Sequence, residues 1–231
     1  MNDDNARELI LKTLQEKVQL KTAVVKCTGE GFSNLKVALS AMQVELKSSI
    51  AKLSPDPGVI NYVDKGDFEA EFSIVDDTIV FLMHSNVFTF ESNHEIWKSS
   101  YVQQDHARAY CGKIYVYNFL SDSFKYNRSN DIGYLIASIF INKENHFFVE
   151  GKRQLGFLYT DFANAEFNSE TIRKVIESTL LYSLDFDPYS PPYEQMSQIT
   201  VQDVLNTTMQ SKIATGKRLG FRFQVDGGET F

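Results

Sequence analysis

Cysteine is scarce in this chain: Cys27 and Cys111 are the 2 in 231 residues. A disulfide framework is therefore not expected, and thiols so far apart in sequence read as free and buried in a reducing compartment. Dense blocks of lysine and arginine are also missing, and the formal charge is −7. Without that electrostatic footprint a phosphate backbone has little to hold it, so nucleic acid is not an expected partner. Long apolar runs are absent as well: no segment approaches the ~18 residues of a membrane span. The opening MNDDNARELILKTLQEK is acidic and then amphipathic, without the basic start and apolar centre of a signal peptide. Together these absences predict a soluble, cytoplasmic protein with no membrane partner.

What is plentiful is aromatic. Phe and Tyr number 18 and 11 against one Trp, and they concentrate after residue 60, which favours a sheet-rich core. A chain of this length buries one substantial core with an appended element.

The first element is helical. Ile10, Leu14, Val18 and Val25 recur at spacings of four and seven between charged residues, and Leu35, Ala38, Leu39, Met42, Leu46, Ile50 and Leu53 follow steps of three and four. Between the two stripes stands VVKCTGEGFSNLK, which has the order of a phosphate loop but not its residues. Phe32 follows Gly31 where a Walker motif needs Lys, and Asn34 stands where a dinucleotide fingerprint needs glycine. Gly29 as a left-handed stop and Ser33 or Asn34 as a cap predict an N-terminal helical hairpin over residues 1–54 instead. Ser54-Pro55-Asp56-Pro57-Gly58 ends it.

Residues 59–187 read as an α+β core domain, an antiparallel sheet of five to seven strands with flanking helices. FEAEFSIV alternates, and Asp76-Asp77 turns it into TIVFLMH. KIYVYNFL, IGYLIASIFI, HFFVEG and QLGFLY are further β-rich runs, the middle two joined by a turn at residues 142–145. Ser92 with Glu95 has the capping-box spacing for a helix over 93–111, and Asn168 or Ser169 starts another through 184. Residues 188–231 follow as a proline-rich linker, a helix opened by Thr200 and Asp203, and a strand RLGFRFQV packed on the core.

Complete catalytic constellations are missing. Glu150-Gly151-Lys152 with Asp131 spells the words of a metal-dependent nuclease, but a turn at 142–145 sets Glu150 opposite Ala137 and leaves Asp131 roughly 20 Å away along the sheet. Only a bulge or shifted register would bring another acid, such as Asp161, closer. Ser33-Asn34-Leu35-Lys36 and Ser49-Ile50-Ala51-Lys52 carry Ser-x-x-Lys without the Lys-Thr-Gly strand that goes with it, since residues 215–217 read Thr-Gly-Lys. His84, His94, His106 and His146 form no HExxH motif, and a pair of His106 with Cys111 would depend on tertiary folding. Asp67, Glu69, Glu71, Asp76 and Asp77 read as a charged face that discourages edge pairing. Tyr115, Tyr117 and Phe119 alternate with Ile114, Val116 and Leu120, so their strand is central or presents an aromatic docking face.

The sequence therefore predicts a non-enzymatic, cytosolic protein-interaction module, with no cofactor and no metal site, that docks or dimerises through its helical hairpin. Leu39, Met42 and Leu46 are the expected partner-binding residues, facing either a second chain or the sheet. A small-molecule sensor with an aromatic-lined pocket is the second reading, and a metal-dependent hydrolase or nuclease the third, the latter requiring that His84 and the acidic hairpin 67–77 line a common cleft.

Overall fold

A computed structural model describes residues 3–53, 58–185, 187, 193, 198 and 200–202. The fold is α+β. One helix, α1 (Asp3–Ile50), leads into strands β1 (Ile60–Asp64), β2 (Glu69–Ile74), β3 (Asp77–Met83) and β4 (Cys111–Leu120), with a short helix α2 (Ser100–Gln104) before β4. A second short helix, α3 (Ser121–Lys125), precedes β5 (Tyr134–Asn142) and β6 (Phe147–Gly151), and α4 (Ser169–Leu184) closes the core. The six strands form one antiparallel sheet in sequence order, each neighbour joined by its own connection. The expected C-terminal helix and strand, including Asp203 and RLGFRFQV, lie outside the described residues.

Where the sequence predicts a helical hairpin, the chain forms a single helix of 48 residues, about 72 Å long at 1.5 Å per residue. The reason lies in phase. Val24, Thr28, Gly31, Phe32, Leu35, Leu39 and Met42 are all buried and recur at helical spacing straight through the glycines, so one face stays on the sheet without a turn. Gly31 works by close approach. A Cβ there would stand 2.8 Å from the Phe167 ring and 3.2 Å from Ile141. At Gly112 in β4 a Cβ would fall 2.0 Å from Thr28 Oγ1, so helix and strand touch where both sides are small.

The sheet has two unlike faces. On the inner face Phe72, Phe81, Ile114, Val116, Ile139 and Phe147 share one core with the second half of α1 and with Ile172, Val175 and Ile176 of α4. A bulge after Val116 pairs it with Ala137 and pairs Tyr117 with Leu135, which lets Ile136 and Ala137 both point inward. Asn168 caps α4 by accepting from the backbone N–H groups of Glu170 and Thr171, with the Thr171 side chain completing a capping box.

Among the described residues the outer face is covered only at one end. The helix expected over 93–111 is instead divided into a 3-10 turn (Glu95–Lys98), α2 and a second 3-10 turn (His106–Ala109), because Ser99 and Asp105 are extended. Asp105 accepts from the Ala107 N–H, and the capping imidazole at the start is His94 rather than Ser92. The divided segment thereby follows the twisted sheet and lays Ile96, Tyr101 and Val102 over Cys111, Phe140 and Phe148. A polar chain running from the core to the surface fastens it: Asn142 donates to the Tyr101 hydroxyl, which donates to Glu144, while Arg108 holds the other Glu144 oxygen. Burial, foremost, pushes the Tyr101 hydroxyl up to about 12.

QLGFLY is not a strand. Arg153–Gly156 is a 3-10 turn that buries Leu155, and the chain beyond it runs along β6, accepting Val149 N–H at Tyr159 and Phe147 N–H at Ala165. That cover satisfies the edge strand.

Candidate functional site

Two halves of α1 meet different surroundings. From Val24 onward the helix is seated on the sheet, whereas from Arg7 to Gln19 every residue is exposed. Leu9, Ile10, Leu11, Leu14 and Val18 are among them, each between 55 and 64 % exposed. An isolated helix of this length is marginal in water, because starting the first turn is unfavourable. Here the anchored half supplies the nucleus and the free half extends it.

The exposed apolar residues have a direction. At about 100° per residue, Leu11, Leu14, Val18, Val25 and Gly29 fall within an arc of roughly 60°, about a quarter turn from the sheet-facing stripe. Val25 is half exposed, and a Cβ at Gly29 would meet nothing within 4 Å. Beside them the helix and the β2–β3 end of the sheet enclose an open groove of about 640 Å³, with Val25, Gly29 and Met83 on its walls and Lys26, Glu30, Lys36 and Asp67 around it. Lys36 is held by Asp64 at 3.0 Å, and the Gly66 N–H donating to Asp64, together with the Lys36 ammonium beside it, keeps that carboxyl below the usual range. The arc of Leu11, Leu14 and Val18 thus points along the same side of the helix as Val25 and Gly29 at the groove.

The partner-binding residues expected from the sequence lie elsewhere. Leu39 and Met42 are buried in the intrachain core and Leu46 packs against it, so of the two alternatives, sheet or second chain, this structure gives the sheet. Periodicity found the stripe correctly, but the sheet covers it. Ile10, Leu14, Val18 and Val25 were legible as a stripe too; nothing in the sequence said it would be left uncovered.

The nuclease words stay apart. Glu150 pairs with Ser138, one residue from the expected register, and Asp131 lies seven residues further along, about 23 Å at 3.3 Å per residue. Asp131 instead accepts from Ser123 and pairs with Arg128, and Glu150 is 3.1 Å from His94 Nε2. Asp161 does reach the cavity that Glu150 lines, but its carboxylate is bonded to Asn164. Among the described residues no three His, Cys, Asp or Glu side chains gather as metal ligands. In the Ser-x-x-Lys stretch the Lys36 ammonium is committed to Asp64. His106 packs on Trp97, and Cys111 is a buried thiol pushed up by its burial. His84 stacks edge-on against Phe88 at 4.8 Å, with Nδ1 accepting from the Asn86 N–H, while Glu71 of the acidic hairpin is paired with Lys65 at 3.3 Å.

The aromatic ladder is real and half open: Tyr115, Tyr117 and Phe119 stand on the outer face with ring centroids 5.8 and 6.4 Å apart. No family model, no curated protein and no solved structure matches the chain. Among the described residues no helix is long and apolar enough to cross a membrane.

Proposed function

We propose that this protein is a non-enzymatic, cytosolic interaction module that pairs with a second copy of itself through the projecting half of α1. The observation that carries the reading is the run of large apolar side chains from Leu9 to Val18, each more than half exposed on a helix whose continuation is fixed in the core. Burying Leu14 and Val18 would contribute about 1.5–3 kcal/mol for each side chain fully covered.

Charge favours a second copy in antiparallel orientation. The sequence begins acidic, and from Lys12 it turns basic with Lys17, Lys21 and Lys26 against Glu16 alone. Parallel pairing sets like charge on like; antiparallel pairing sets the acidic start of one helix beside the basic stretch of the other. Gly29 supports the same arrangement, since it lets the end of a partner helix approach the backbone at the groove without a side chain between them.

The test is sedimentation equilibrium over a concentration series. The wild-type chain should form dimers, and Leu14→Lys with Val18→Lys should give monomers with unchanged circular dichroism, because neither side chain belongs to the core. A wild-type chain that stays monomeric throughout, or a dimer indifferent to both lysines, would refute the reading.

A further inference from the structure

A second recognition site, independent of α1 pairing, is built on the outer face of the sheet. Lys113 of β4 stands opposite Phe140 of β5, which stands opposite Phe148 of β6. Its ammonium lies 4.5 Å from the Tyr115 ring centroid and 4.8 Å from that of Phe140. Both ring faces attract a cation. Neither accepts its hydrogen bonds as an oxygen would, and among the described residues no carboxylate forms an ion pair with it. Burial holds this ammonium below the usual lysine range, with the charge of Glu150 acting the other way.

Glu150 lines the same cavity of about 300 Å³, together with Phe88, Phe90, Glu91 and His94. Lys113 and Glu150 thus oppose each other across one site, close enough to feel each other and too far apart to pair. His94 accepts the Ile96 N–H at Nδ1, 3.2 Å away, so its proton sits on Nε2 and points to Glu150 at 3.1 Å. An imidazole held in this way orients the carboxylate. The Phe90 ring packs on His94 at 4.6 Å and on Phe140 at 5.1 Å, giving the site an apolar wall beside its two charges.

The charges select a ligand class. A simple carboxylate would satisfy Lys113 but face Glu150, and a simple amine would satisfy Glu150 but face Lys113. We propose that this cavity binds a free amino acid with an aromatic side chain, its carboxylate on Lys113, its ammonium on Glu150, and its ring against Phe88, Phe90 and Phe140. The size agrees, because ~300 Å³ is the lower end of small-molecule sites.

Calorimetric titration of the full chain with three probes tests this: L-phenylalanine, 3-phenylpropionate, which lacks the ammonium, and phenethylamine, which lacks the carboxylate. L-Phenylalanine should bind saturably at one site per chain, with each single-charge probe at least about tenfold weaker, as expected for the loss of a charge-assisted hydrogen bond. Lys113→Met keeps the apolar stem over the rings and should weaken L-phenylalanine by a similar factor. Glu150→Gln, at an exposed position, should do the same without depending on how Lys113→Met folds. No saturable binding of L-phenylalanine, equal binding of either single-charge probe, or indifference to Glu150→Gln would overturn the assignment.

Discussion

The two halves of α1 share one backbone, one period and similar apolar residues, and they end in opposite environments. Leu35 and Leu39 are wholly buried, whereas Leu11 and Leu14 are each 57 % exposed. Sequence alone does not separate a leucine that holds the fold from one that waits for a partner. The difference is supplied by the sheet, which reaches along α1 only as far as Gly112 and the end of β5, where Thr28 and Gly31 make their close contacts.

That contrast is broken most forcefully by truncating one leucine in each half. Leu39→Ala opens a cavity in the shared core and should cost about 2–5 kcal/mol, whereas Leu14→Ala in the monomer should stay within about 0.5 kcal/mol of wild type. Urea denaturation at protein concentrations below the dimerisation range checks both. Equal losses would mean that the free half is packed against something in its own chain.

Glycines sharpen the same comparison with a smaller effect. Gly112→Ala drives a methyl group into Thr28 and should destabilise by about 1–3 kcal/mol through overpacking. Gly29→Ala meets nothing within 4 Å among the described residues and should stabilise the monomer by up to about 1 kcal/mol through helix propensity, while weakening the dimer by filling the place where the partner approaches. Thermal unfolding of dilute samples reads the first pair of changes and sedimentation the last. A Gly29→Ala chain that is both more stable and an equally good dimer would remove the groove from the interface.

Much of the architecture was legible from pattern. Alternation marked β2 and β4, β-rich apolar runs marked β3, β5 and β6, the polar turn at 142–145 set the β5–β6 hairpin to within one residue, and Asn168 with its neighbours announced α4. What failed depended on contacts made by distant residues. A glycine within an apolar period reads equally as a helix stop or as a point of close approach, and only Phe167 and Ile141, over a hundred residues away, decide for Gly31. Ser92 and Glu95 had the right spacing for a long helix, but Tyr101 and Arg108 are fastened to the turn of Asn142 and Glu144, and the segment bends to reach them. QLGFLY had strand composition, yet its Leu155 is needed as a plug beneath the β6 edge. The candidate site was half visible in the same sense: Leu14 and Val18 stood out as a stripe, and Tyr115 lies two residues from Lys113 on the same strand, while the second ring over Lys113, Phe140, is brought to it only across strands.

The central claim, that the free half of α1 meets its own copy head to tail, is tested most directly by the distance between two spin labels. With Cys27 replaced by serine and the buried Cys111 left in place, a label at Glu16→Cys sits at the centre of the Leu14–Val18 layer, and one at Leu9→Cys sits seven residues from it. Both labels sit on the face away from the apolar arc, so pulsed electron resonance on the antiparallel dimer should give the shorter distance at position 16 and a longer one at position 9, where the two labels are further offset by roughly 20 Å along the helix axis at 1.5 Å per residue. Equal distances at both positions would establish a parallel pair, and no dipolar coupling at either would show that the projecting helix does not bring two chains together.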